Sequence, residues 1–244
     1  MVELNIFLNF IGMIFELFII IIAAVLLILI LKKYFIKRHK LTRLLFLIFV
    51  SYFMAIIFSW LSKIFVVLEL NVIQDGSVIP WIYNRISDFR ISELFVTIAI
   101  FLSYILKVNV FEKGYKIVLK CIIIIYGVFS SAYVLFIYYV GNTLLDIIAF
   151  LIVFIYMVMV YAPFLRRAVE SYRAVEERSY KRAFLSLAIM SISFILIFLS
   201  FAIDRILIFL GSPGFTLFYF LGWISAIIGI FGAYYGYIRP KSSE

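Results

Sequence analysis

The sequence predicts an all-α integral membrane protein, a single domain over residues 1–244 built as a seven-transmembrane-helix bundle, with the N-terminus outside and the C-terminus cytoplasmic. Three observations lead there. Hydrophobic residues make up 67% of the 244 and charged residues only 14%, with a mean hydropathy of +1.20, whereas soluble domains are roughly 45–50% apolar. Seven apolar runs each supply the roughly 20 residues that a bilayer crossing needs. The charges between those runs segregate by side, which fixes a threading.

The runs fall at about 5–31, 44–68, 91–111, 117–140, 144–165, 183–210 and 215–238. The segment Met1–Phe7 contains Glu3 and no Lys or Arg. It lacks the positive region of a secretory leader, so the first run is expected to be a retained helix. That run meets Lys32 to Arg43 (KKYFIKRHKLTR), whose nearly unbroken positive charge suits anionic headgroups. The second run leads to the longest outer link, Glu69 to Arg90, which holds Gly76, Pro80 and Trp81. This link is too polar to span and is expected to cover the outer end of the bundle.

Lys107 and Lys120 sit at the inner ends of the third and fourth runs, where long stems are expected to snorkel to headgroups. The fifth run is expected to continue as helix into Arg166 to Arg182 (RRAVESYRAVEERSYKR). That stretch mixes signs, lacks Gly and Pro, and spaces Glu177 and Lys181 as a helical i, i+4 pair. The seventh run carries Gly222, Ser225, Ala226, Gly229, Gly232, Ala233 and Gly236. Small residues at that spacing line one face, fit for packing within the bundle or for a seam between two copies.

Of the 22 Lys and Arg residues, only Lys63, Arg85, Arg90 and Arg205 fall on the side that carries Glu3, Glu16, Glu69, Asp75, Asp88, Glu93, Asp146 and Asp204. The remaining basic residues all lie in or beside the links on the other side. Cationic loops stay cytoplasmic, and every link obeys that rule separately. The net charge of +9 is thus spent on orientation in the bilayer, and no nucleic-acid partner is expected.

One cysteine, Cys121, and one histidine, His39, exclude an intramolecular disulfide, a haem pair and a histidine-dependent nucleophilic triad, and they leave no metal site or cofactor to expect. The N-out topology is similar to that of microbial rhodopsins, but the seventh run has no Lys between Phe215 and Ile238 to carry retinal. The motifs of eukaryotic-type G-protein-coupled receptors are likewise missing, since the corresponding places read LKVNVFEK and YYGYIRP. No enzyme activity is expected.

Ionisable groups within a span are costly, so their default reading is functional. Glu16 lies near mid-bilayer, where a carboxylate must be neutral, paired or wetted. Lys63 can reach it if the first two helices are neighbours, giving either a helix-pairing salt bridge or a ligand, proton or ion site. A second group gathers toward the outer end with Trp60, Trp81 and Trp223: Arg85, Asp88, Arg90, Glu93, Asp146, Asp204 and Arg205. These residues form either an interfacial belt with rim ion pairs or a pocket for a small polar or zwitterionic ligand.

The expected function is that of a receptor or sensor in the cell membrane. Its ligand pocket comprises Lys63, Glu93, Asp204, Arg205 and Trp223. The signal passes to a separate cytoplasmic protein through Arg166, Arg167, Arg173, Arg178, Lys181 and Arg182. A small-solute or proton-coupled transporter using Glu16, and a non-catalytic structural subunit, are the alternatives.

Overall fold

The computed structural model describes residues 2–70, 78–112, 114–137, 139 and 142–238. Among them the regular elements are helices: α1 (Val2–Lys37), α2 (Lys40–Val67), α3 (Val78–Ser87), α4 (Arg90–Phe111), α5 (Ile117–Phe136), α6 (Thr143–Ala174), α7 (Arg178–Phe209) and α8 (Leu217–Ala233), the last running into a π-helical turn, Tyr234–Ile238. All but α3 are long and apolar enough to cross a membrane. The chain is an integral, multi-pass membrane protein with seven membrane-spanning helices among the described residues. Asp75, Gly76, Lys113 and the tail 239–244 lie outside the described residues.

Several boundaries differ from expectation. Helix α1 does not end near residue 31 but runs to Lys37, because Lys32 to Ile36 contains no helix breaker. Its 36 residues extend about 54 Å at 1.5 Å per residue, well beyond a hydrocarbon core of about 30 Å. The basic link is thereby reduced to a tight turn, with Arg38 at φ 46°. His39 finds its role there, its Nδ1 accepting from the Leu41 amide at 3.3 Å to cap α2.

The link after α2 contains the short helix α3. It turns Val78, Ile79, Trp81 and Ile82 outward and Arg85 inward. Arg85 donates from Nε to the Leu135 carbonyl at 2.7 Å and stacks 3.8 Å over Trp81, so it satisfies a carbonyl in the last turn of α5.

The expected continuation of the fifth span is present: α6 passes through Pro163 and holds its helix to Ala174. A short break follows before α7 starts at Arg178. The ion pairs there are Arg166–Glu170 and Arg167–Glu170, each at 2.9 Å. Glu177 instead takes the N-cap position of α7, and Lys181 lies 5.1 Å over Tyr172. Lys107 also departs from expectation. It is 3% exposed and pairs with Glu112 at 2.9 Å, because a nearby carboxylate gives its ammonium a partner that snorkelling would forgo.

The spans close into a ring, with α1 against α2, α2 against α4, α4 against α6, α6 against α7, α7 against α8 and α8 back against α1, while α5 flanks α4 and α6. The core is built largely of aromatic and branched apolar side chains, whereas Phe18, Ile28, Ile125 and Val128 face outward as lipid-facing residues should. The small-residue face of α8 is filled by α7 of the same chain. A Cβ at Gly222 would meet Phe201, and one at Gly229 would meet Phe194.

Gly232 is the tightest test of this packing, because a Cβ there would stand 2.9 Å from the Ser186 carbonyl oxygen and 3.0 Å from the Met190 nitrogen. Backbone cannot step aside as a side chain can. Gly232→Ala is expected to cost about 1–3 kcal/mol and to lower the melting temperature in detergent. Gly114→Ala, with nothing within 4 Å, is expected to leave the melting temperature unchanged; equal losses at both positions would contradict this packing.

Candidate functional site: a buried ion pair beside two adjacent cavities

Helices α1 and α2 each bring one ionisable residue into the closed centre of the bundle. Glu16 and Lys63 are both 0% exposed, and Lys63 Nζ stands 2.8 Å from Glu16 Oε1. The same oxygen accepts from Ser59 Oγ and from the Tyr219 hydroxyl, each at 2.9 Å. Lys63 donates further to Ser59 Oγ and to the Ser59 carbonyl, both at 3.3 Å. Helical spacing explains part of this. Ser59 and Lys63 are four residues apart and so share one face of α2.

Three rings surround the ammonium: Phe89 at 4.7 Å, Tyr219 at 5.5 Å and Phe215 at 5.9 Å. Two of them hold unusual backbone, with Phe89 at φ 62° and Phe215 at φ 49°. A bulky residue in the left-handed region is strained, and such strain gathers at functional sites. Gly12 on α1 admits the Phe215 ring, because any Cβ there would collide with it.

Nearer the acidic end of the bundle lies a second cluster. Arg90, 1% exposed, bonds Asp146 at 2.7 Å and faces Glu93 at 3.6 Å. Arg205 lies 4.7 Å over Phe89 and 5.4 Å over Phe150, a stacking that leaves the in-plane donors of a guanidinium open. Asp204 accepts at one oxygen from the Thr216 amide (2.9 Å) and hydroxyl (2.7 Å), clasping the α7–α8 turn.

These groups border two cavities. The outer one measures about 480 Å³ and is polar, with Asn9, Ser62, Asp88, Asp146, Asp204 and Arg205 in its wall. The inner one, about 100 Å³, is largely aromatic and apolar, with Glu93, Ser59 and Trp223 among its few polar residues and Tyr52 in its wall. Phe89, Phe150, Asp204, Arg205 and Tyr219 belong to both walls.

Of the residues singled out from the sequence, Glu93, Asp204, Arg205 and Trp223 therefore border a common space. Lys63 does not line it. Its charge is taken up by Glu16 behind Tyr219 and Phe89. The basic group expected to dock a partner stands apart: Arg166 and Arg167 bond Glu170, and Arg173, Arg178, Lys181 and Arg182 flank the α6–α7 break.

Sequence reasoning missed Tyr219, Ser59, Phe89 and Phe215, and also a hydroxyl chain adjoining the inner cavity. In that chain the Tyr52 and Tyr161 hydroxyls stand 3.0 Å apart, and Ser103 Oγ stands 2.8 Å from Tyr161. Ser59 alone carried a signal, being four residues from Lys63. Among the described residues no cluster of metal-ligating side chains occurs. Compared with protein-family models, curated proteins and solved structures, the chain matches none.

Removing one member of a buried ion pair strands the other charge. Lys63→Met is expected to cost about 3–5 kcal/mol in a detergent unfolding titration. The double variant Glu16→Leu/Lys63→Met is expected to recover more than half of that loss. Additive losses would show that the two side chains do not depend on each other.

Proposed function

We propose that the chain is a receptor or sensor of the cell membrane. It binds a small ligand through the adjacent cavities and signals to a separate cytoplasmic protein through the 166–182 arm, with no catalytic step of its own. The observation that carries this reading is continuity. Helix α6 contributes Asp146 and Phe150 to the cavity walls and, without a break, Arg166, Arg167 and Arg173 to the arm. Helix α7 runs the other way, from Arg178 to Asp204 and Arg205. The two form the most extensively packed pair in the bundle, so a displacement at their cavity ends is passed to the arm.

A hinge lies between the two ends. Pro163 sits inside α6 and leaves the Met159 carbonyl without its intrahelical donor, which is where helices bend. Tyr161, two residues earlier, bonds Tyr52 in the wall of the inner cavity. A ligand that moves Tyr52 therefore acts on α6 next to its weakest turn. The net positive side of the sequence places the arm in the cytoplasm and the cavities outside.

A transporter would use the same cavities but must open them to both sides in turn. The test is labelling of Ser92→Cys, at the wall of the inner cavity, on a Cys121→Ala background. A membrane-impermeant methanethiosulfonate ammonium reagent is applied to sealed vesicles from either face. The receptor reading expects reaction only from the outside, and expects a cysteine at Arg173 to react only from the cytoplasmic face. Reaction of Ser92→Cys from both faces would favour the transporter, and no reaction from either would remove the pocket altogether.

A further inference from the structure

The inner cavity contains polar atoms with nothing to bond. Glu93 is 2% exposed, and neither carboxylate oxygen has a hydrogen-bond donor; its nearest cation, Arg90, stands 3.6 Å away and is engaged at 2.7 Å by Asp146. Trp223 is 5% exposed, and its indole N–H has no acceptor in good geometry, only the Tyr219 hydroxyl loosely beside it. Both residues line the same space of about 100 Å³. A buried acceptor and a buried donor left unpaired each cost about 1–3 kcal/mol, and native proteins rarely keep such groups without a use. Two of them on one cavity point to an occupant that supplies what they lack.

The charges around the cavity state its sign. Two cations, Arg90 and Arg205, stand among four acids, Asp88, Glu93, Asp146 and Asp204, around the two cavities, so the formal charges of the cluster leave an excess of negative. The walls state its body. Apart from Glu93, Ser59, Ser92, Asp204 and Arg205, they are mostly rings and aliphatic chains, and aromatic faces receive organic cations well. A space of this size holds about three waters at about 30 Å³ each, and it is smaller than the roughly 150 Å³ that accepts a benzene ring.

We infer that the inner cavity binds a small alkylammonium ion of about two or three carbons. The ammonium donates to the Glu93 carboxylate, and the short alkyl body packs among the aromatic side chains of the wall. The Trp223 N–H is left for a polar substituent or a water carried in with the ligand. This assignment rests on the receptor reading of the adjacent cavities and names the ligand class for it. The outer cavity, with Asp88, Asp146 and Asp204 in its wall, attracts the cation before it enters.

The test uses the full chain in lipid nanodiscs and two small probes of opposite charge, propylamine and propionate, followed by calorimetric titration. Propylamine is expected to bind saturably at one site and propionate not to bind. Glu93→Gln is expected to weaken propylamine by at least about tenfold, while Trp60→Phe, outside both cavity walls, leaves it unchanged. If Glu93→Gln does not fold, the two probes on the unaltered chain still decide the matter.

Binding of propionate alone, or of both probes equally, would overturn the ammonium assignment and turn attention to Arg205. Failure of both probes to bind would overturn it as well. In each of those cases, one-sided labelling of Ser92→Cys leaves the pocket reading standing; loss of that labelling would bring down both.

Discussion

Water is the cheapest partner for a charge, and a bilayer withholds it. The arrangement of this bundle follows from that constraint. Glu16 and Lys63, each 0% exposed, have to answer one another, and the geometry that lets them do so sets α1 against α2. Tyr219 then draws α8 to the same carboxylate at 2.9 Å, which closes the ring of helices. One oxygen of Glu16 thus receives three donors from two other helices. Nothing in the apolar packing alone would choose that register, since lipid tails are as good a neighbour for Leu or Ile as another helix.

Above this pair the same constraint is met less completely. Arg90 has Asp146 at 2.7 Å, but Glu93 has no donor and Arg205 has ring faces in place of a carboxylate. The contrast is between a carboxylate that holds its cation at 2.8 Å and takes three donors on one oxygen, though its Oε2 has none, and a carboxylate with no donor on either oxygen. The strained backbone of Phe89 and Phe215 supports the division, because both rings wedge between the two groups, contacting Lys63 on one side and the outer cavity on the other.

How far the sequence disclosed this depends on the kind of residue. Spans and charged residues were legible, because few charges exist and each one in an apolar run demands an explanation. Glu16 and Lys63 could be paired on paper only on the condition that the first two helices are neighbours, a condition the sequence does not supply. Tyrosines and phenylalanines, 17 and 28 of them, gave no such signal, so Tyr219, Tyr52, Tyr161 and Phe89 were invisible until their surroundings were seen. The run-on of α1 to Lys37 was hidden for a different reason. A hydropathy window reports where apolar character stops, whereas helix propensity carries through Lys32 and Lys33. Lys107 was misjudged because its partner, Glu112, lies just beyond the span and enters no argument about depth.

The turn between α1 and α2 has a consequence for how the chain is made. Arg38 and His39 are the only residues separating the two helices, so Glu16 and Lys63 belong to one hairpin. Emerging from the ribosome, that hairpin can enter the lipid with its two opposite charges already in contact, as a neutral unit. Neither helix has to be threaded alone with a naked ion at its centre. Tyr219, synthesised later, then finds the carboxylate in place and joins α8 to a scaffold that was assembled first.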